Sequence, residues 1–198
     1  RVTIFCPEYK EPWGPFSPER TGIGGSEEMV ILVARYLARQ GARVTVYAPV
    51  DDVVIDQNVV WRPFQTFDPD ASCDVLISHR TAHEKLGAKV HYAWLHDAVV
   101  SKLAEDYEEA RRSRVQAYLT LSAWQEEEYH KRFGIPLDQM LRVPNAPDPD
   151  DRLPEDESTR APHKAIYASA PYRGLNVLLA AWSRVRERVP AAELHICN

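Results

Sequence analysis

Short runs of apolar residues alternate along the chain with stretches in which apolar residues recur every three or four positions. The first pattern predicts β-strands and the second predicts amphipathic α-helices. The predicted strands cover 2–5, 43–48, 59–62, 74–78, 90–95, 117–121, 140–143, 164–169 and 193–197. The predicted helices include the periodic positions 29–37, the charged segment 99–114, and residues 122–134 and 175–189. This alternation predicts an α/β protein with a parallel sheet.

Residues at the ends of two predicted helices support these boundaries. Gly41 follows the first periodic stretch, and glycine readily adopts the left-handed backbone that ends a helix. Ser122, with Gln125 three residues later, is a capping-box pattern at the start of another helix. Gly134 ends that helix, with Pro136 just beyond it.

The composition changes between Asp148 and Pro162, where the chain is rich in Pro, Asp and Glu and has little to bury. Such a segment indicates a linker. We therefore expect a first domain over 1–148, a linker over 149–162 and a single β-α-β unit over 163–198. Because one such unit cannot bury both faces of its sheet, it either joins the first sheet or begins a second, incomplete domain. Its unpaired strand edges could then associate with another chain.

Charge and cysteine usage narrow the class of protein. A formal net charge of −5 over 198 residues offers little positive charge for phosphate backbones, so we expect no nucleic-acid partner. The longest strictly apolar run, 29–34, is far shorter than the ~20 residues of a membrane span. We expect no transmembrane segment, and no signal peptide because a strand pattern begins at once.

The cysteines Cys6, Cys73 and Cys197 are widely separated and form no CxxC pair. This spacing gives little support to a zinc or redox site. We expect free thiols in the core of a cytoplasmic protein.

The first candidate motif is the glycine-rich segment 21–27, which lies between the first strand and the first helix. Glycines such as Gly24 and Gly25 let backbone N–H groups approach a ligand, and a helix N-terminus favours a phosphate or carboxylate. Ser26 is a candidate N-cap. A flexible turn before a capped helix explains the same residues as well. The segment is not GxGxxG, which disfavours a nicotinamide-dependent dehydrogenase.

The second motif is the pair His96 and Asp97, which follows a predicted strand. Ligands of open α/β sheets bind beyond the carboxyl ends of the strands, where a histidine can donate or accept a hydrogen bond. From these residues alone, a structural histidine with Asp97 capping the next helix is the stronger interpretation.

The third motif is the segment 167–175, in which Arg173 and Gly174 precede a predicted helix. An arginine at a helix N-terminus opposes the helix dipole, which suggests that Arg173 binds an anionic ligand. A solvated surface arginine is the alternative.

Taken in order along the chain, these segments resemble the GT-B glycosyltransferases, in particular the large retaining family 4. The segment 22–27 resembles the N-terminal glycine loop of that family, and 95–97 resembles its histidine-containing strand end. The stretch 121–148, with FGIP at 133–136 and VPNAPD at 143–148, is similar to its "S…FGIP…V.PNGVD" region. Residues 169–194 resemble the opening of its donor-binding domain.

The sequence departs from the family pattern at several positions. Ala146 replaces a usual glycine, and the "GR" pair that precedes the second basic residue is missing, since Tyr167-Ala168-Ser169 occupies that stretch. The second domain ends after β-α-β, without a paired-glutamate motif. We therefore expect this chain to be a fragment of a longer enzyme and to be inactive alone.

The resemblance implies a Rossmann-like first domain that binds the acceptor, which could be a saccharide, lipid or protein, and a second domain that binds a nucleotide-sugar donor. It implies catalytic roles for His96 and Arg173, with His96 contacting the transferred sugar. The implied donor-phosphate residues are Gly24, Gly25, Arg173 and Gly174. The implied acceptor or sugar cleft contains Ser26, Glu27, Asp97 and Asn145.

The same resemblance implies transfer with retention, without a cofactor. A guanidinium and a helix N-terminus can stabilise a diphosphate leaving group, so we expect no metal ion. Asp148 and Asp150 have metal-binding spacing but fall at the start of the predicted linker. The alternative function is a non-catalytic binding or partner module with the same fold.

Overall fold

A computed structural model describes residues 1–7, 11–81, 87–98, 115–148 and 161–197. The chain divides into two compact units, Arg1–Pro149 and Asp150–Asn198. The predicted helix 99–114 lies outside the described residues, as do positions 149–160 of the predicted linker.

Within the described residues, the first unit is built on an eight-stranded sheet with the order β3-β4-β2-β1-β5-β6-β7-β8. The strands are β1 Val2–Phe5, β2 Val44–Ala48, β3 Val54–Asp56, β4 Val59–Pro63, β5 Cys73–His79, β6 Ala88–Trp94, β7 Ala117–Thr120 and β8 Met140–Arg142. Neighbouring strands are parallel except β3 and β4. The chain order reverses between β1 and β5, which is the arrangement of a Rossmann-like sheet. The predicted fold class is confirmed.

Three helices belong to this unit in its described part: α1 Ser17–Arg20, α2 Gly25–Arg39 and α3 Ala123–Phe133. Helix α2 buries Met29, Val30, Ile31 and Ala34. These side chains share a core with Val46 and Trp61 of the sheet. The periodic positions predicted a different face: of Met29, Leu32, Val33, Tyr36 and Leu37, only Met29 is buried and Tyr36 is exposed. A separate cluster beneath α3 includes Tyr129 and Phe133. The two helices therefore cover the sheet on either side of the point where the strand order reverses.

The hairpin β3–β4 was not predicted from the sequence. Its turn residues Gln57 and Asn58 have φ of 45° and 66°, as expected for a tight turn with two left-handed residues. Asp56 at the end of β3 accepts a hydrogen bond from Arg35 of α2 at 2.7 Å. This ion pair ties the hairpin to α2, which the local sequence does not reveal.

The predicted helix ends are confirmed, with one exception. Gly41 and Gly134 have φ of 86° and 65°. The Ser122 hydroxyl accepts a hydrogen bond from the Gln125 backbone at 3.2 Å. The prediction that Ser26 is an N-cap is wrong, because α2 begins at Gly25 and Gly24 occupies the N-cap position. Ser26 instead donates to Glu27 Oε2 at 2.7 Å.

The second unit contains the predicted β-α-β, with β9 Lys164–Tyr167, α4 Leu175–Arg188 and β10 Glu193–Ile196. The two strands are parallel. Every residue of α4 is at least partly exposed, and Ile166 and Val177 are 71% and 68% exposed. Cys197 is also exposed, so the expectation of a core thiol is wrong there, although it is confirmed for Cys6 and Cys73. None of the described helices combines the length and apolarity of a membrane-spanning segment.

We expect the backbone amides of α4 to exchange with solvent faster than those of α2. Helix α2 buries four side chains, whereas every side chain of α4 is at least partly exposed to solvent. Local opening of a helix costs less free energy where fewer apolar contacts must break. Hydrogen exchange of the chain, followed by mass spectrometry, measures both helices in one sample. Equal protection of the two helices in a monomer would contradict this prediction.

Candidate functional site

The strand order of the first unit reverses between β1 and β5, and ligands of open α/β sheets bind at the carboxyl ends of the strands near such a point. Three segments follow strands at this edge. They are the start of α2, Arg80 after β5, and His96 with Asp97 after β6. The structure therefore brings the predicted glycine loop and the predicted His-Asp pair to one site.

Arg80 connects these segments through an ion network. Its Nε and Nη2 atoms donate to the two carboxylate oxygens of Asp97 at 2.6 and 3.0 Å. Its Nη1 atom donates to Glu27 Oε1 at 3.1 Å. A bidentate guanidinium–carboxylate pair is directional as well as strong, so it fixes the relative placement of β5 and β6 ends.

Arg80 and its neighbour His79 were not predicted as site residues, although the sequence contains a signal for them. Both residues directly follow the predicted strand 74–78, so the rule that selected His96 and Asp97 selects them as well. Arg80 has a left-handed backbone with φ of 59°, which is uncommon for a residue with a side chain. Its N–H donates to the Trp94 carbonyl at 2.9 Å.

The backbone around His96 is held on both sides. Leu95 N–H donates to the Leu119 carbonyl of β7 at 2.8 Å. The side-chain amide of Gln125 donates to the carbonyls of Leu95 and Asp97 at 3.3 and 3.0 Å. Tyr129 also donates to the Asp97 carbonyl, at 3.2 Å. None of these bonds uses the His96 imidazole, so the ring is positioned without engaging its own nitrogens.

The His96 ring packs in an aromatic cluster. Its centroid lies 4.6 Å from that of Trp94 and 4.8 Å from that of His79. His96 Nε2 and both ring nitrogens of His79 are buried and have no hydrogen-bond partner among the residues that the structure describes. A buried polar atom without a partner costs free energy, and a ligand that supplies the missing bond recovers it.

Both imidazoles are neutral at physiological pH. Burial lowers the pKa of His96 to about 4, with Asp97 and Glu27 opposing that effect and Arg80 adding to it. Burial also holds the pKa of His79 well below its usual range, and the neighbouring His96 and Arg80 lower it further. The Ser26 backbone slightly raises the pKa of His79, although no hydrogen bond of ordinary geometry joins them. A neutral imidazole has one donor and one acceptor nitrogen, which suits a hydroxyl group.

The Glu27 carboxylate lies against the glycine loop that the sequence predicted to bind phosphate. A Cβ atom at Gly24 would collide with Glu27 Oε2, so the glycine permits the carboxylate to lie against the start of α2. An anion bound at Gly24 and Gly25 would face this carboxylate, whereas a hydroxyl group would not be repelled. Phosphate binding at these glycines stays a prediction.

Asn145 does not lie with Glu27, His96 and Asp97 in the structure. It is exposed in the segment after β8, and β7 separates β8 from β6. Among the described residues, no three His, Cys, Asp or Glu side chains lie close enough to hold a metal ion.

The second unit contains the other predicted residues, Arg173 and Gly174. Arg173 is the exposed last residue of a 3-10 turn, Pro171–Arg173, and its guanidinium lies 6.0 Å from the Tyr172 ring centroid. Gly174, with φ of 104°, is the N-cap of α4 and has no side chain to bind the first N–H groups of the helix. Those donors and the guanidinium together suit an anion.

Comparison with known proteins identifies similar folds. No protein-family model matches the sequence, and no curated protein matches it. The structure is similar to that of WaaG, a glycosyltransferase involved in lipopolysaccharide biosynthesis, with a TM-score of 0.64 and 12% identity over 98% of this chain. It is also similar to a glycosyltransferase from Rickettsia africae ESF-5, with a TM-score of 0.53 and 11% identity over 94% of this chain. The chain spans 62% and 57% of those two chains, and the likeness is one of fold.

We expect acidification to destabilise the protein between pH 6.5 and pH 4 in a way that depends on His96. Because the folded pKa is depressed, the unfolded chain binds a proton first, and stability is lost as pH falls. A pKa of about 4 against 6.5 corresponds to a loss of about 3 kcal/mol by pH 4. Urea unfolding at pH 7 and pH 4 measures this loss.

The control compares His96→Gln with His130→Gln. His130→Gln removes an exposed histidine of α3 that lies outside the cluster of Trp94, His79 and His96 and contacts the Ile135 carbonyl at 2.8 Å. An equal loss of stability on acidification in the wild type and in His96→Gln would contradict the prediction.

Proposed function

We propose that this chain is part of a glycosyltransferase that moves a sugar from a nucleotide-sugar donor to an acceptor, with retention and without a metal ion. The observation that carries the proposal is the buried, neutral and unpartnered His96 Nε2 at the carboxyl edge of the sheet, among the described residues. The shared fold with two solved glycosyltransferases supports the same class of reaction. Retention is proposed from the sequence resemblance to family 4.

His96 would hydrogen-bond a hydroxyl of the transferred sugar. Its ring is held by Trp94 and His79, and the flanking backbone is held by Gln125, so a bound sugar does not have to order it. A prearranged donor or acceptor stabilises charge that develops during transfer, because no reorganisation is needed at that moment. Ser26 and Glu27 offer polar groups nearby for further hydroxyls of a sugar or acceptor.

Arg173 and Gly174 would bind the donor diphosphate. Negative charge accumulates on the diphosphate as its bond to the sugar breaks, and a guanidinium beside a helix N-terminus opposes that charge. These groups stabilise the leaving group without a divalent cation, which supports metal-independent transfer. No separate cofactor is needed, since the nucleotide sugar is a substrate. The free thiols Cys6, Cys73 and Cys197 support a reducing, cytoplasmic location.

We expect His96→Ala to lower kcat of the full-length protein about 10²–10³-fold, which corresponds to the ~2.7–4 kcal/mol contributed by one such hydrogen bond. The measurement is nucleoside diphosphate release over a panel of nucleotide sugars and acceptors, together with the melting temperature. His130→Ala is the matched control and should retain activity. A stable nucleotide-sugar complex without turnover in the wild type would favour a binding module instead. A His96→Ala variant that keeps its activity but melts earlier would assign His96 a structural role.

We expect Arg173→Gln to raise KM for the nucleotide sugar and to lower kcat, with partial recovery in Arg173→Lys. Arg173→Gln removes the positive charge. Arg173→Lys keeps the charge but lacks the planar guanidinium that can form two hydrogen bonds to a phosphate. Arg184→Gln on α4 is the control, because Arg184 is an exposed arginine of the same unit.

Loss of activity on addition of a chelator would count against metal-independent transfer.

A further inference from the structure

We propose that Arg80 is a positioning residue, which holds His96 and the start of α2 in their working arrangement by binding Asp97 and Glu27 at the same time. The inference rests on the proposed function, because it takes His96 as the residue that contacts the sugar. Arg80 itself is not assigned a contact with substrate.

The shape of the guanidinium matches this double attachment. Two of its nitrogens bind the Asp97 carboxylate, and the third binds Glu27 at 3.1 Å. A lysine ammonium is a point charge and cannot reproduce this planar fork. Arg80, Glu27 and Asp97 have side chains only 22%, 14% and 29% exposed, so solvent screens these contacts less than it screens a surface pair.

The attachment joins residues that are distant in sequence. Arg80 and Glu27 are 53 positions apart, and Arg80 and Asp97 are 17 apart. Asp97 directly follows His96, and Glu27 lies in the first turn of α2. One side chain therefore sets the distance between the imidazole and the glycine loop.

The backbone of Arg80 is unusual in a way that fits the same role. Its φ of 59° is costly for a residue with a Cβ atom, and such conformations persist where surrounding contacts over-determine them. The N–H bond to the Trp94 carbonyl at 2.9 Å holds this turn against β6, which carries His96 at its end.

Arg80 also balances the charges around His96. The described charged groups that act on the imidazole are Asp97 on its own segment, Glu27 from α2 and Arg80 after β5. The ring of His79, the last residue of β5, packs against it. Asp97 and Glu27 raise the pKa of His96, and Arg80 lowers it. Removal of the guanidinium would leave two carboxylates beside the ring, so a proton would bind His96 more readily.

The test is an NMR titration of the imidazole nitrogens of the full chain in three variants. In Arg80→Gln we expect the pKa of His96 to rise by about one unit, a tenfold gain in proton affinity, as is typical when a nearby charge is removed. Arg35→Gln is the matched control, because Arg35 binds Asp56 at 2.7 Å with side chains 13% and 8% exposed. Arg35→Gln removes a comparably buried ion pair, which joins α2 to β3, and it should leave the His96 titration unchanged.

Arg80→Lys keeps the positive charge but removes the planar fork, so it separates the effect of charge from that of geometry. It also provides a test if Arg80→Gln does not fold. We expect the lysine variant to keep the low pKa of His96 while lowering kcat of the full-length protein about tenfold or more, with little change in KM. Full activity in Arg80→Lys would overturn the positioning role, as would a His96 titration in Arg80→Gln that matches Arg35→Gln.

The two proposals fail separately. If the full-length wild type transfers no sugar but Arg80→Gln shifts the His96 titration, glycosyl transfer is wrong and the hold of Arg80 on His96 is supported. If the wild type transfers sugar and the titration is unshifted, glycosyl transfer is supported and the inference about Arg80 is overturned.

Discussion

The contact between Arg80 and the carboxylates of Asp97 and Glu27 connects everything that gathers at the carboxyl edge of the first sheet. Parallel pairing brings the ends of β5 and β6 to the same edge of the sheet. The hydrogen bonds between the two strands do not by themselves determine how the loops beyond them are arranged. The forked guanidinium joins both loops to the first turn of α2. The aromatic cluster of Trp94, His79 and His96 then packs beside it.

Desolvation decides the chemistry of that cluster. Burial lowers the pKa of His96 to about 4, even though two carboxylates act in the opposite direction. The imidazole therefore acts as a neutral group that can donate and accept a hydrogen bond, and it does not act as a cation. This state suits hydroxyl recognition, whereas the cationic Arg173 of the second unit suits phosphate. The two residues predicted to be functional thus offer different chemistry, a neutral imidazole and a guanidinium.

The second unit differs from the first in how little it buries. Its two strands and one helix leave Ile166 and Val177 largely exposed, while the first unit encloses Trp61 and Trp94 almost completely. The helix α4 nevertheless begins at a glycine in the left-handed region, with Arg173 directly before it. The features suited to anion binding are therefore local to one turn and need no extensive core.

Local sequence determined most of the described elements and several of their ends, because apolar periodicity and capping depend on residues within a few positions of each other. The strands around Ile4 and Leu76, the cap at Ser122 and the turn at Gly134 could all be predicted for this reason. The rule for carboxyl ends also placed His96 and Asp97 at the carboxyl edge of the sheet. Local sequence did not determine β3 or the start of α2. Only the tertiary structure paired Arg80 with Glu27, added β3 to the sheet and separated Asn145 from the site. It also determined that His96 is neutral, because ion pairing and desolvation depend on groups that are brought together from distant parts of the chain.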